Sequence, residues 1–207
     1  MSRLRVVIGA IFVLVLAASI PAEARGCKPN FKGKDRITKV EFAEWTQMLY
    51  KTGFLSGVVA STSEINITGT VVRMGDANRI NIILEKEESN PGRAVVESPY
   101  KAEKGNEFIF GFKEGGEPLQ FVADSVSNDT RADMFGNIKT KVVLTANISP
   151  EQLATLKDAL AAKHIDSVRV SLSNNLIVEQ SVNEDNSEAF MAKIQCWFAF
   201  PEAKTSR

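Results

Sequence analysis

Apolar and polar residues alternate over most of this chain, and that period of two limits it to antiparallel sheet more strongly than any other feature. In "EINITGTVVRM" the residues Ile65, Ile67 and Val71 fall on one face; after the turn signal "GDANR", Ile80, Ile82 and Leu84 repeat the pattern. The pair reads as a hairpin over residues 64–87. Phe108, Phe110 and Phe112 share a face in "NEFIFGF", "KEGGEP" turns the chain, and Leu119, Phe121 and Ala123 alternate on the return. From Asn137 to Ile148 the residues Ile138, Val142, Leu144, Ala146 and Ile148 lie on one side, with Lys139 and Lys141 on the other. One buried face and one wetted face is the pattern of antiparallel sheet. Val168, Val170 and Leu172 alternate, "SNN" turns, and "LIVEQSV" returns. Phe190, Ala192, Ile194, Cys196, Phe198 and Phe200 then read as a last strand, with Cys196 pointing inward and Trp197 outward.

Two segments read as helix. In "SPEQLATLKDALAAKH", Ser149 is the N-cap, Pro150 sits at the first helical position and Gln152 completes a capping box, with Leu153, Leu156 and Leu160 as the apolar stripe. Over residues 39–52, Thr38 and Glu41 form a second capping box, Phe42, Trp45 and Leu49 an apolar face, and Gly53 a stop. "ESNPGR" reads as a loop followed by a short strand near residues 94–97, and "ADSVSNDTRADMFGN" as a solvated loop. The fold class expected is mainly β (α+β): an antiparallel β-sandwich or open barrel with two helices.

The N-terminus sets the compartment. Arg3 and Arg5 precede an uncharged run from Val6 to Ile20, then Pro21 and the small-residue site Ala22-Glu23-Ala24. A basic start, a short apolar core and an A-x-A site make residues 1–24 a secretory signal peptide. The run is short for a membrane span. Residues 25–37 form a basic arm and residues 38–207 a single β-rich domain, exported to the periplasm or secreted and not membrane-spanning once the signal is removed.

Cys27 and Cys196 are the two cysteines. A lipid anchor at Cys27 fits poorly, because Ala24-Arg25-Gly26 places a charge just before it. In an exported chain two cysteines pair. A Cys27–Cys196 disulfide would close nearly the whole domain. Without residues 1–24 the chain carries 23 basic and 24 acidic groups. Residues 25–39 hold Arg25, Lys28, Lys32, Lys34, Arg36 and Lys39 against Asp35 alone, so the remainder is acidic. Lys28, Lys32, Lys34 and Arg36 are therefore candidate binding groups, although folding of the arm onto the acidic body is the simpler expectation. Trp197 is the other candidate contact.

Catalytic sets are hard to assemble. His164 is the lone histidine, and it continues the leucine stripe of its helix. No histidine cluster, C-x-x-C or H-E-x-x-H is present, so neither a metal nor a cofactor is expected. An apolar N-terminus, a histidine, a later cysteine and Arg207 together resemble the layout of sortase-type transpeptidases. Those enzymes carry a T-L-x-T-C strand where this chain has Lys193-Ile194-Gln195-Cys196. Lys51-Thr52-Gly53, Ser98-Pro99-Tyr100-Lys101 and Ser173-Asn174-Asn175 match elements of serine β-lactam-binding enzymes, but in the wrong order and on the wrong local structures. Asp124, Asp129 and Asp133 offer carboxylates for hydrolysis without the spacing of a calcium loop. Sequons occur at Asn66, Asn128 and Asn147. No basic face interleaved with aromatics supports nucleic-acid binding. The expectation is an exported, non-enzymatic binding module for a protein or cell-envelope component. The alternative is an envelope enzyme, either a Cys196/His164 thiol transpeptidase or a carboxylate-based hydrolase.

Overall fold

A computed structural model describes residues 27–37, 39–52, 63–89, 98–113, 115–133, 137–162 and 164–200. The expected signal peptide, the expected helix cap Thr38 with its stop Gly53, and the expected strand near residues 94–97 lie outside the described residues. Two antiparallel sheets carry the fold. Sheet A has the order β1-β2-β3-β4-β8-β7, built from β1 (Phe31–Lys34), β2 (Glu41–Lys51), β3 (Ser63–Met74), β4 (Ala77–Ser89), β7 (Ser125–Ala132) and β8 (Asn137–Asn147). Sheet B has the order β10-β9-β5-β6, from β5 (Glu107–Phe112), β6 (Leu119–Val122), β9 (Ile165–Ser171) and β10 (Ile177–Ser181). Sheet A curls into a half-barrel. Helices α1 (Pro150–Ala162) and α2 (Glu184–Ala199), with a 3-10 turn at Ser173–Asn175, complete the described elements of the α+β fold.

The period-two segments become strands in the expected registers. In the β3–β4 hairpin Ile67 faces Leu84 and Val71 faces Ile80 across the ladder, and all four side chains are fully buried. β4 continues this face onto β8, where Leu84 meets Val142 and Ile82 meets Leu144. Sheet B contributes Phe108, Phe110, Phe121, Val168 and Val170 to the same core. The rings of Phe108 and Phe121 stack at 5.2 Å, and Phe110 approaches Phe190 of α2 at 5.9 Å. That last contact joins the sheet B side of the core to the helix on sheet A.

α1 has the cap its sequence announces. Ser149 Oγ accepts from Gln152 N–H at 3.2 Å, and Gln152 Oε1 accepts from Ser149 N–H at 3.0 Å. This reciprocal box satisfies two backbone donors that a bare helix end would leave open.

Three expectations are corrected. Residues 41–51 are strand, not helix, and residues 184–199 are helix, not strand. Both reversals share one cause: residues four apart share a face in a helix and in a strand alike. Trp45 and Leu49 have that spacing, as do Phe190, Ile194 and Phe198. The buried set of α2 is Ser187, Phe190, Ile194 and Trp197, a spacing of three, four and three that only a helix provides. Asn183 caps it, its side chain accepting from Asn186 N–H at 2.8 Å, with Glu184 and Asp185 in the first turn. β2 is held as strand by hydrogen-bonded neighbours on both sides, β1 and β3. A bulge between Met48 and Tyr50 interrupts its register. Third, most of the polar stretch read as a loop is the edge strand β7. Its interior side needs little apolar surface because it ends the sheet.

Gly69 lets α2 approach. A Cβ there would lie 2.7 Å from Phe190 Cζ and 3.1 Å from Leu49 Cδ1. The Phe190 ring fills the place where a side chain would stand.

Candidate functional site

The cysteines meet as expected. Cys27 and Cys196 form a disulfide with their Cα atoms 4.9 Å apart, across a sequence separation of 169 residues. Cys196 lies on α2, so the bridge ties the N-terminal arm to the C-terminal helix. With its sulfur bonded, Cys196 is not a thiolate nucleophile in this structure. His164 is exposed immediately after α1.

Each suggested catalytic carboxylate has a structural task. Asp124 accepts from Asn147 N–H at 2.6 Å. Asp133 accepts from Asn137 through backbone N–H and side-chain Nδ2, at 3.0 and 2.8 Å. Asp129 holds the Arg131 guanidinium at 2.8 and 3.1 Å through both oxygens. Two sequon asparagines are also engaged. Asn128 clamps both backbone groups of Ala102, and Asn147 Oδ1 accepts from Arg79 Nε. Trp197 is not an outward contact: on α2 it is 1% exposed and packs beside Phe198 with centroids 5.1 Å apart.

Another surface is better organised. The face of sheet A directed away from the core carries two rows of charge across its strands. One runs through Asn66, Glu85, Lys141 and Asp129, paired residue by residue from β3 to β7. The next runs through Glu64, Glu87, Lys139 and Arg131. Lys141 Nζ lies 3.0 Å from Glu85, and Lys139 Nζ 3.2 Å from Glu87. Most of these groups, with Lys86 and Thr140, line a groove of about 450 Å³, within the size range of ligand sites. The Asn66 Oδ1 atom is buried there and has no hydrogen-bond partner among the described residues. At the groove's edge Lys86 is 8% exposed, its ammonium 5.1 Å from the Tyr100 ring centroid and 3.7 Å from Glu88.

Sequence reading placed Lys139 and Lys141 on the wet face but could not find their partners. The signal was the pattern E-x-E at Glu85 and Glu87 facing K-x-K at Lys139 and Lys141. Only the β4–β8 pairing, more than fifty residues apart in sequence, brings the two together.

The basic arm folds back, held at Cys27 and also by strand pairing. β1 pairs with β2 through the backbone, and the disulfide pins its start. Lys28, Lys32, Lys34 and Arg36 are all exposed, and among the described residues none forms an ion pair. Lys32 lies over the Phe200 ring at 5.4 Å.

Among the described residues no group of three or more candidate ligands could hold a metal ion, and no helix is long and apolar enough to cross a membrane. No protein-family model, curated protein or solved structure matches the chain.

Proposed function

We propose that this chain is an exported, non-enzymatic binding module that takes an extended, mixed-charge polypeptide segment of an envelope protein along the charged groove of sheet A. The groove's lining carries the reading. Acids of β4 are paired with lysines of β8 across it, while the buried Asn66 Oδ1 has no donor among the described residues. The Glu85–Lys141 pair is about half exposed. Such pairs are worth only about 0–1 kcal/mol, so a ligand bearing both charges exchanges partners at small cost. A general acid–base pair, in contrast, needs carboxylates whose environments set them apart. Asp124, Asp129 and Asp133 are each committed to a turn, an arginine or a backbone amide. Export is supported by the signal-like N-terminus and the disulfide, which oxidising compartments sustain.

The test is a titration of isotope-labelled, disulfide-bonded protein with a library of short peptides alternating Lys and Glu, read by amide chemical shifts. Shifts confined to β3, β4, β7 and β8, and absent from the Lys139→Ala/Lys141→Ala variant, are the expected result. Shifts elsewhere, or none, would overturn the assignment of the groove.

A further inference from the structure

We propose that the β1–β2 hairpin is a docking element for an anionic lipid surface, with Ile37 entering the interface and the surrounding cations meeting lipid headgroups. This surface is separate from the groove and does not depend on it.

The described residues of the hairpin tip are tied together by hydrogen bonds. Asp35, the single acid among residues 25–39, organises the turn: its Oδ1 accepts from Ile37 N–H at 3.0 Å and its carbonyl accepts from Lys39 N–H at 3.0 Å. Asp35 N–H in turn donates to the Val40 carbonyl at 2.8 Å. Lys39 takes the left-handed conformation, φ 60°, that lets the chain reverse. Ile37 is thereby held outward at 91% exposure, well above every other exposed large apolar side chain described.

Lys34, Arg36 and Lys39 flank it along the hairpin, while Lys28 and Lys32 lie farther back on the arm; all five are exposed. None has an acidic partner within ion-pair distance among the described residues. An unopposed cluster of this kind attracts polyanions in general. The apolar tip selects among them. Binding to phosphate on a polymer gains nothing from a β-branched aliphatic residue held in water, whereas a bilayer interface removes that residue from water and keeps the ammonium groups at headgroup level. Stacking on exposed bases would call for an aromatic ring at the tip, where the chain has Ile37; Phe31, 56% exposed and stacked on Phe42 at 5.4 Å, stands at the other end of β1. Residues 40–207 carry net negative charge. An anionic surface would repel that body while attracting the hairpin, which orients the molecule tip-down.

The experiment is co-sedimentation of the disulfide-bonded protein with vesicles of phosphatidylcholine alone and of phosphatidylcholine with roughly one-third phosphatidylglycerol. Binding is expected only to the anionic vesicles and should weaken as salt rises. Each cation removed should weaken it about fivefold, so Lys34→Ala/Arg36→Ala should lose roughly 25-fold. Ile37→Ser should weaken vesicle binding several-fold while leaving retention on a heparin column unchanged, a separation that charge alone cannot produce. These positions are exposed, so the variants should fold as the parent does. Lys139→Ala/Lys141→Ala should leave vesicle binding intact, which keeps this result distinct from that of the groove. Vesicle binding indifferent to Ile37→Ser, tighter binding to a DNA oligonucleotide than to anionic vesicles, or no vesicle binding would each overturn the proposal.

Discussion

Cutting the Cys27–Cys196 bridge tests how the two ends of the chain support the domain. The bridged residues are 169 apart, so the unfolded chain is confined by a loop spanning most of its length. In the chain-entropy treatment such a loop contributes about 5 kcal/mol of stability. For a domain of this size each kcal/mol moves the melting temperature by about 2–4 °C, so Cys27→Ser should lower it by roughly 10–20 °C. Circular dichroism melts of the parent, Cys27→Ser and the double serine variant, in matched buffer, are the assay. The two variants should melt alike if the effect is loss of the loop and not reactivity of a stray thiol. A competing account is that the bridge only pins a peripheral arm. β1 is four residues long and lies at the edge of sheet A, and on that account the arm frays with the core intact. A fall of less than about 3 °C, with rapid amide exchange confined to residues 27–34, would refute the loop argument.

Two further substitutions probe the core and its rim. Gly69→Ala places a Cβ against Phe190 and Leu49 and should cost about 1–3 kcal/mol in urea unfolding; Gly69→Ala/Phe190→Leu should recover part of it. Asn128→Ala removes the two hydrogen bonds, at 2.9 and 2.8 Å, that satisfy Ala102 on the adjoining segment. It should cost about 1–2 kcal/mol and speed amide exchange at Ala102, whereas unchanged exchange there would show that the clamp is dispensable.

Legibility followed the kind of signal. Where alternation ran unbroken, as in Ile80, Ile82 and Leu84 or Phe108, Phe110 and Phe112, strand and buried face were both readable, because a one-residue slip would turn every apolar side chain to water. The α1 cap was readable because its donors and acceptors lie within one turn of sequence. Both misread elements lacked such a local arbiter. Apolar residues in each stood four apart, Trp45 and Leu49 in one and Phe190, Ile194 and Phe198 in the other, a spacing that does not distinguish the two periods. β7 was hidden for a different reason: an edge strand can be polar on both sides and still complete its ladder on one.

Local sequence thus determined the strands of the β3–β4 hairpin, the capped α1 and the pairing of the two cysteines, since each rests on near-neighbour chemistry or on having a single possible partner. Tertiary structure decided the rest. β2 is a strand because β1 and β3 complete its hydrogen bonds, and α2 is a helix whose Trp197 is buried against the core. The groove exists because β4 and β8 pair in a register that sets Glu85 beside Lys141 and Glu87 beside Lys139. No near-neighbour rule encodes that register: it is chosen by the apolar residues on the opposite face, which must meet in the core.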